Sequence, residues 1–321
     1  MEILLGTYTR NTDSEGIYQA SFNEETGNLD DLKLALKADN PSFLAMDPIS
    51  LFAVSEIRDG FAGGEVLSYD RSEGKFDLID VVPSFGTDPC HLAIGPQHLA
   101  VANYSGGTAT LYRRAGSRLK PDPHILRHSK CGDHPRQTAP HPHGAYFITD
   151  ELWVPDLGGD RIEIYDLAGT QLRSLVTTDG SGPRHLTGDG RYLVNELDNT
   201  VVDLKAGISC ASIPHGWYGQ SITAEIVLAN DRLYVSNRGH DSIAVLSTSP
   251  TLELIQCCHS GGSHPRHFAI TPDHKWLIAA NKDSHNLVSM PILNDGRLGD
   301  VTSILECPSP TCVLPFSSSV M

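Results

Sequence analysis

One local pattern returns along the whole chain: a proline, a polar residue, then a short apolar strand. It reads NPSFLAMDP from 40, DPCHLAIGP from 88, HPHGAYFIT from 141, GPRHLTGDG from 182, HPRHFAITP from 264 and SPTCVLPF from 309. A further copy, SITAEIVLAN, has Ile222 in the proline slot. The copies are spaced by about 40–53 residues, a period that belongs to solenoids and propellers. Each continues with a second strand (LFAVSE, LAVANY, LWVPDL, YLVNEL, LYVSNR, WLIAAN), then a third after a Gly/Asp/Ser loop, then a less regular fourth. Four short antiparallel strands per repeat make a propeller blade. No window carries helical periodicity.

The last copy contains one strand. EILLGTY, GIYQASF and LDDLKLAL at the other end of the chain read as the missing second, third and fourth strands. The expectation is an all-β chain. Residues 1–321 form a single domain, a seven-bladed β-propeller of four-stranded antiparallel blades. One C-terminal strand joins three N-terminal strands to close the ring, which removes exposed sheet edges. Tandem β-sandwiches fit less well, because they do not explain seven copies of one strand-start pattern.

Composition narrows the function. The formal net charge is −15, so the average field repels nucleic acid and anionic membrane surfaces. The opening MEILLGTYTR has neither the basic region nor the apolar run of a signal peptide, and no run reaches membrane-span length. Seven cysteines, odd in number and unpatterned, suit reduced thiols and a cytoplasmic location. The expected assembly is a monomer or weak homodimer.

In an antiparallel hairpin the start of the first strand lies beside the end of the second. The positions after each proline therefore gather at one rim: Ser42, Cys90, His143, Arg184, Thr223, Arg266 and Thr311. The second-strand ends form a companion set of Glu56, Tyr104, Leu157, Glu196, Arg238, Lys282 and Tyr8, and the next residues along the first strands add His91, His185 and His267. Counting back from the Asp189-Gly190 turn sets Arg184 across from Asn195 and next to Glu196. Inter-blade ion pairs alone would explain any one of these residues. Together, the cations oppose the sign of the whole chain and fit a small anion, with arginine forks suited to carboxylate or phosphate.

The longest irregular stretch, HSKCGDHPRQTAPHPHG at 128–144, holds four histidines and a cysteine, but Cys131-x-x-His134 and His141-x-His143 match no metal-site spacing. It reads as a binding loop that ends at His143. The chain has no nucleophile elbow, and its glycine clusters lack the context of a phosphate loop.

These segments, with ANYSGGT, HPRQTAPHPH, VPDLGGDRI, SGPRHL and HPRHFAI, resemble the lactonase-type seven-bladed propellers. That family includes bacterial 6-phosphogluconolactonases and fungal carboxymuconate cyclases. The resemblance runs over nearly the whole chain. It implies hydrolysis of a sugar lactone, foremost 6-phosphogluconolactone in the pentose phosphate pathway, at a site of His143, Arg184, Glu196 and either Arg238 or Arg266. His91, His185, His267, Lys282, Glu56 and Tyr104 are the expected substrate contacts. Glu196 or His143 would take a proton from water, and the cations would hold the oxyanion and the substrate's charge. The chemistry needs no metal or organic cofactor. A muconate cycloisomerase and a non-enzymatic anion-binding propeller are the alternatives.

Overall fold

The inner strands are richer in apolar residues than the outer ones, and the burial follows that gradient. In the computed structural model, which describes residues 1–58, 63–71 and 75–316, every residue of Ser50–Ser55 is buried, whereas the outer Asp77–Pro83 of the same sheet is largely exposed. Among the described residues the chain forms seven antiparallel sheets and no helix. Six sheets have four strands. In the remaining one, Pro89–Ile94, His98–Asn103 and Thr108–Ala115 are followed by two outer pieces, Arg118–Leu119 and His124–Arg127. Pro121 and Pro123 lie between these pieces, where missing N–H groups interrupt the ladder.

The chain divides into two compact units, Met1–Lys37 with Arg191–Met321, and Ala38–Gly190. In the first, the two ends of the chain share a sheet. Pro310–Phe316 pairs with Glu2–Thr7, which pairs with Gly16–Phe22 and then Leu29–Lys37. The register runs from Glu2 opposite Phe316 to Thr7 opposite Pro310. Ile3, Leu5, Phe22 and Val313 from this sheet pack on Ile278, Ala280 and Leu287 of the preceding one. Phe268, Leu277 and Val288 pack in turn on Tyr234, Ile243 and Val245, and Leu233 and Val235 on Tyr192, Val194 and Val201. In the second unit, Phe52, Val54 and Val66 meet Leu92, Leu99 and Val101, and Ala100, Ala109 and Leu111 meet Leu152 and Val154. Each core layer is thus the seam between one sheet and the next in sequence.

Polar ties repeat beside these seams. Asn103 and Asn281 close their second strands and Asn237 is the last but one residue of its own, and each side-chain amide donates to the backbone carbonyl of a serine behind it, Ser84, Ser260 and Ser212 respectively. All three asparagines are fully buried. These buried donations from the amide nitrogens help to fix the spacing between sheets.

The proline pattern has a backbone consequence. Asn40, Asp88, Gly182, His264 and Ser309, each directly before a proline, have positive φ between 43° and 66°. That bend is unfavourable for residues with a Cβ, and Asn and Asp tolerate it best. At Asn40, Asp88, His264 and Ser309 it accompanies a pre-proline carbonyl that meets the end of the second strand, and His141 O makes the same contact without the bend. The N–H groups of Tyr8, Glu56, Tyr104, Leu157 and Lys282 donate to the carbonyls of Ser309, Asn40, Asp88, His141 and His264 at 2.9–3.1 Å.

Removing residues 310–321 deletes the partner of Glu2–Thr7 and leaves that buried strand as an open edge. The truncated protein is expected to melt lower and to aggregate. Unchanged melting with a monomeric elution profile would show that the terminal pairing contributes nothing.

Candidate active site

In the unit Ala38–Gly190 the site starts from His143. Its backbone N–H donates to Pro155 O at 2.9 Å, which fixes it beside the end of Glu151–Asp156. Gly144 follows. A Cβ there would come within 2.6 Å of the Tyr146 ring and 3.0 Å of Arg184 O, so only glycine admits the Arg184 strand this close. The Arg184 guanidinium Nη1 lies 2.5 Å from His143 Nε2. Arginine only donates, so Nε2 accepts and the imidazole proton sits on Nδ1. That Nδ1 faces Cys90 Sγ at 3.7 Å. All three side chains are buried.

Aromatic and cationic groups surround this pair. The His185 ring stands edge-on to His143 at 5.6 Å. Tyr104 meets His143 edge-on at 5.1 Å and stacks flat on His141 at 4.3 Å. The Tyr104 hydroxyl accepts from Arg136 Nη2 at 3.0 Å. Glu56 is half-buried at the end of its second strand. The histidines of the 128–144 loop act as anchors. His128 Nδ1 pairs with Asp156 Oδ2 at 2.7 Å, the same carboxylate accepts from His141 N, and His141 Nδ1 donates to Tyr104 O. Among the described residues no group of three or more His, Cys, Asp or Glu side chains is placed to hold a metal.

The other unit carries the remaining candidates. Glu196, fully buried, follows Tyr192–Asn195, and its Oε2 makes a 2.8 Å salt bridge with Arg238 Nη2. The hairpin register read from the sequence sets Arg184 next to Glu196 but does not name Arg238, the ion partner in this unit. Arg238 also donates to Thr223 O at 2.5 Å. Its Cα lies opposite Ile222, the position that replaces the proline. Arg266 is half-buried, with its guanidinium 5.1 Å over the Tyr8 ring. Lys282 Nζ pairs with Asp283 Oδ1 at 2.7 Å, and His264 Nδ1 lies 3.2 Å from Asp283 Oδ2. Burial, then Arg238, Lys282 and Arg266, push the His264 pKa down to about 3 against the opposing pull of Asp283. The surroundings of His264 are therefore net positive within a −15 chain.

Two of the expected substrate contacts also have structural work. His91 Nδ1 accepts the Ala145 N–H at 3.3 Å, and its ring lies between Phe43 and Tyr146. His267 Nδ1 accepts the Val313 N–H at 3.2 Å, with Nε2 3.3 Å from Glu225 Oε2. Each ties its first strand to the first strand of the following sheet. Sequence reasoning missed Arg136 and His264. The signal was present: His-Pro-Arg occurs at 134–136 and at 264–266, and Gly-Pro-Arg at 182–184. A separate cleft of about 780 Å³, lined by Asp13, His285 and Glu306 among others, contains none of the candidates.

The model of the family described as Lactonase, 7-bladed beta-propeller, matches residues 2–315. The chain is 31% identical to the 6-phosphogluconolactonase of Bacillus subtilis over 96% of each sequence. It superposes on the periplasmic gluconolactonase of Pseudomonas aeruginosa with a TM-score of 0.88, at 28% identity, covering 97% of this chain and 98% of that one. A putative 6-phosphogluconolactonase from Bacteroides uniformis gives a TM-score of 0.86 at 30% identity, covering 97% and 98%.

The lowered pKa of His264 has a sign. Unfolded histidine titrates near 6.5, so below that pH the unfolded chain takes up a proton that the folded chain refuses. This residue's contribution to stability is complete above about pH 6.5 and is lost as pH falls towards 3. His264→Asn, which tolerates the φ of 61°, is expected to flatten the fall in melting temperature between pH 6.5 and 4. An unchanged slope in a pH series of thermal melts would locate the acid sensitivity elsewhere.

Proposed function

Because the chain belongs to the seven-bladed β-propeller lactonase family, we propose that it hydrolyses a sugar-derived lactone, with 6-phosphogluconolactone opened to 6-phosphogluconate as its substrate. The observation that carries this reading is the contact between Arg184 and His143 Nε2. Lactone opening requires a base for the attacking water and a cation for the oxyanion that forms on the carbonyl. This pair places a lone pair and a guanidinium side by side in a buried setting.

In the absence of substrate, Arg184 occupies the Nε2 lone pair. A lactone carbonyl presented to Arg184 draws the guanidinium toward the oxygen and releases Nε2. Water between His143 and the carbonyl carbon then loses its proton to Nε2 as its oxygen attacks. Charge builds on the carbonyl oxygen against Arg184. When the intermediate collapses, the ring C–O bond breaks and the Nε2 proton passes to the leaving alkoxide, which gives the free hydroxy acid. Cys90 Sγ, facing Nδ1, keeps the imidazole in the tautomer this cycle needs. The names of the relatives support the substrate class: one is called a 6-phosphogluconolactonase and another a gluconolactonase.

Glu196 is the competing base. Its carboxylate is engaged with Arg238 and its charge is compensated there, which suits it to positioning that arginine. His143→Ala is expected to lower kcat for 6-phosphogluconolactone by roughly 100-fold or more, and Arg184→Lys, which lacks the fork, to lower kcat and raise KM together. The comparison that decides is Glu196→Gln. Loss of turnover in that variant with near-full turnover in His143→Ala would make the carboxylate the base. Normal hydrolysis by all three would reject the site. A parallel muconate ring-closure assay tests the cycloisomerase alternative.

A further inference from the structure

The 128–144 loop is long, but it is clamped along its length. Gln137 is fully buried and its amide donates to Leu157 O at 2.7 Å. Its backbone N–H closes a turn on His134 O, and the Arg136 N–H donates to His134 Nδ1. Farther on, Ala139 O lies where a Cβ on Gly158 would be, 1.9 Å away, so the loop rests on a bare glycine backbone. His141 is fixed at both ends, by Asp156 to its N–H and by Tyr104 O to its ring. A segment held this way presents its side chains from a preorganised position.

Arg136 projects from that clamped turn, half-buried, and places Nη2 on the Tyr104 hydroxyl. The same tyrosine ring touches His143 edge-on. One aromatic ring and one hydrogen bond therefore separate a second guanidinium from the imidazole that Arg184 engages. A lactone derived from a 6-phosphorylated hexose has the same layout. Its reacting carbonyl is at one end of the ring, and a dianionic phosphate is on the exocyclic carbon at the other. The Tyr104 hydroxyl orients Arg136.

We propose that Arg136 is the specificity-determining residue for the phosphoryl group, so that it selects the phosphorylated lactone over its unphosphorylated counterpart. This rests on the lactonase reading above and names the residue that reads the far end of the substrate. The chemistry is that of arginine as a forked donor to a phosphate monoester.

The test uses the full chain and two readouts. Binding of the product acids 6-phosphogluconate and gluconate is measured by calorimetry on the wild type, Arg136→Gln and Arg136→Lys, and turnover of both lactones is measured alongside. The expected result is that Arg136→Gln lowers the wild type's preference for 6-phosphogluconate over gluconate by about 10- to 100-fold, with Arg136→Lys intermediate. In turnover, the ratio of kcat/KM for the two lactones is expected to fall by a similar factor, through KM. Equal losses for both ligands would mark Arg136 as a structural residue and overturn the proposal. A wild type with no preference for the phosphorylated acid would overturn it as well. Failure of the lactonase reading looks different: wild-type protein that hydrolyses neither lactone, whatever its binding preference.

Discussion

A single backbone hydrogen bond, repeated, organises the functional end of these sheets. At Asn40, Asp88, His264 and Ser309 the residue before the proline bends into the left-handed region and its carbonyl receives the N–H of the residue that closes the second strand, and His141 O accepts the same bond without that bend. The proline has no N–H of its own and does not compete for this partner. The bend is strained wherever a Cβ is present, so it persists because the pairing and the layers on either side over-determine it. It has a direct consequence for chemistry. The first residue after the proline and the last residue of the second strand come to one place, whatever their side chains are. The backbone supplies the position, and the sequence is left to choose the charge.

That separation explains how polar and charged groups occur in so apolar a set of strands. The seams between sheets are filled by Ile, Leu, Val and aromatic residues, with a buried asparagine at or near the end of several second strands. Only beyond the last apolar position do Arg184, Glu196, Arg238 and His143 appear, and they are still buried. A buried charge is tolerable when it is paired. Glu196 with Arg238 is such a pair. His264 shows the alternative response: ringed by cations and desolvated, it stays neutral far below the ordinary pH range of histidine.

Much of this was legible in the sequence, because period and hairpin register are local rules. The proline copies fixed the blades, and the lone strand after Ser309 forced the terminal pairing later seen between Pro310–Phe316 and Glu2–Thr7. The positions of Glu56, Tyr104 and Lys282 at second-strand ends followed in the same way. What could not be read was which neighbour each side chain reaches. Arg184 on His143 and Arg238 on Glu196 join residues 41 and 42 positions apart, and a rotamer, not a register, decides such contacts. The same limit explains His91 and His267. Pattern sets them on first strands, yet the N–H groups of Ala145 and Val313 that engage their rings belong to the next sheet. Arg136 was passed over because it lies in an irregular loop, where no periodicity marks a position as inward.

The arginines differ in how they are held, and the difference bears on what they can do. Arg238 is against a carboxylate, and removing either partner would leave a buried charge exposed to its low-dielectric surroundings. Arg184 contacts an imidazole nitrogen, Arg266 a phenol ring face and Arg136 a phenol hydroxyl. A hydrogen bond or ring contact of this kind orients a guanidinium, and the side chain is ordered before an anion arrives. An anion at Arg238 would compete with Glu196 for the same guanidinium. A carboxylate holder therefore suits an arginine that keeps a carboxylate in place. On the proposed function, His143, Arg184 and Arg136 act on the substrate in their unit, and Glu196 with Arg238 serves as a positioning pair in the other.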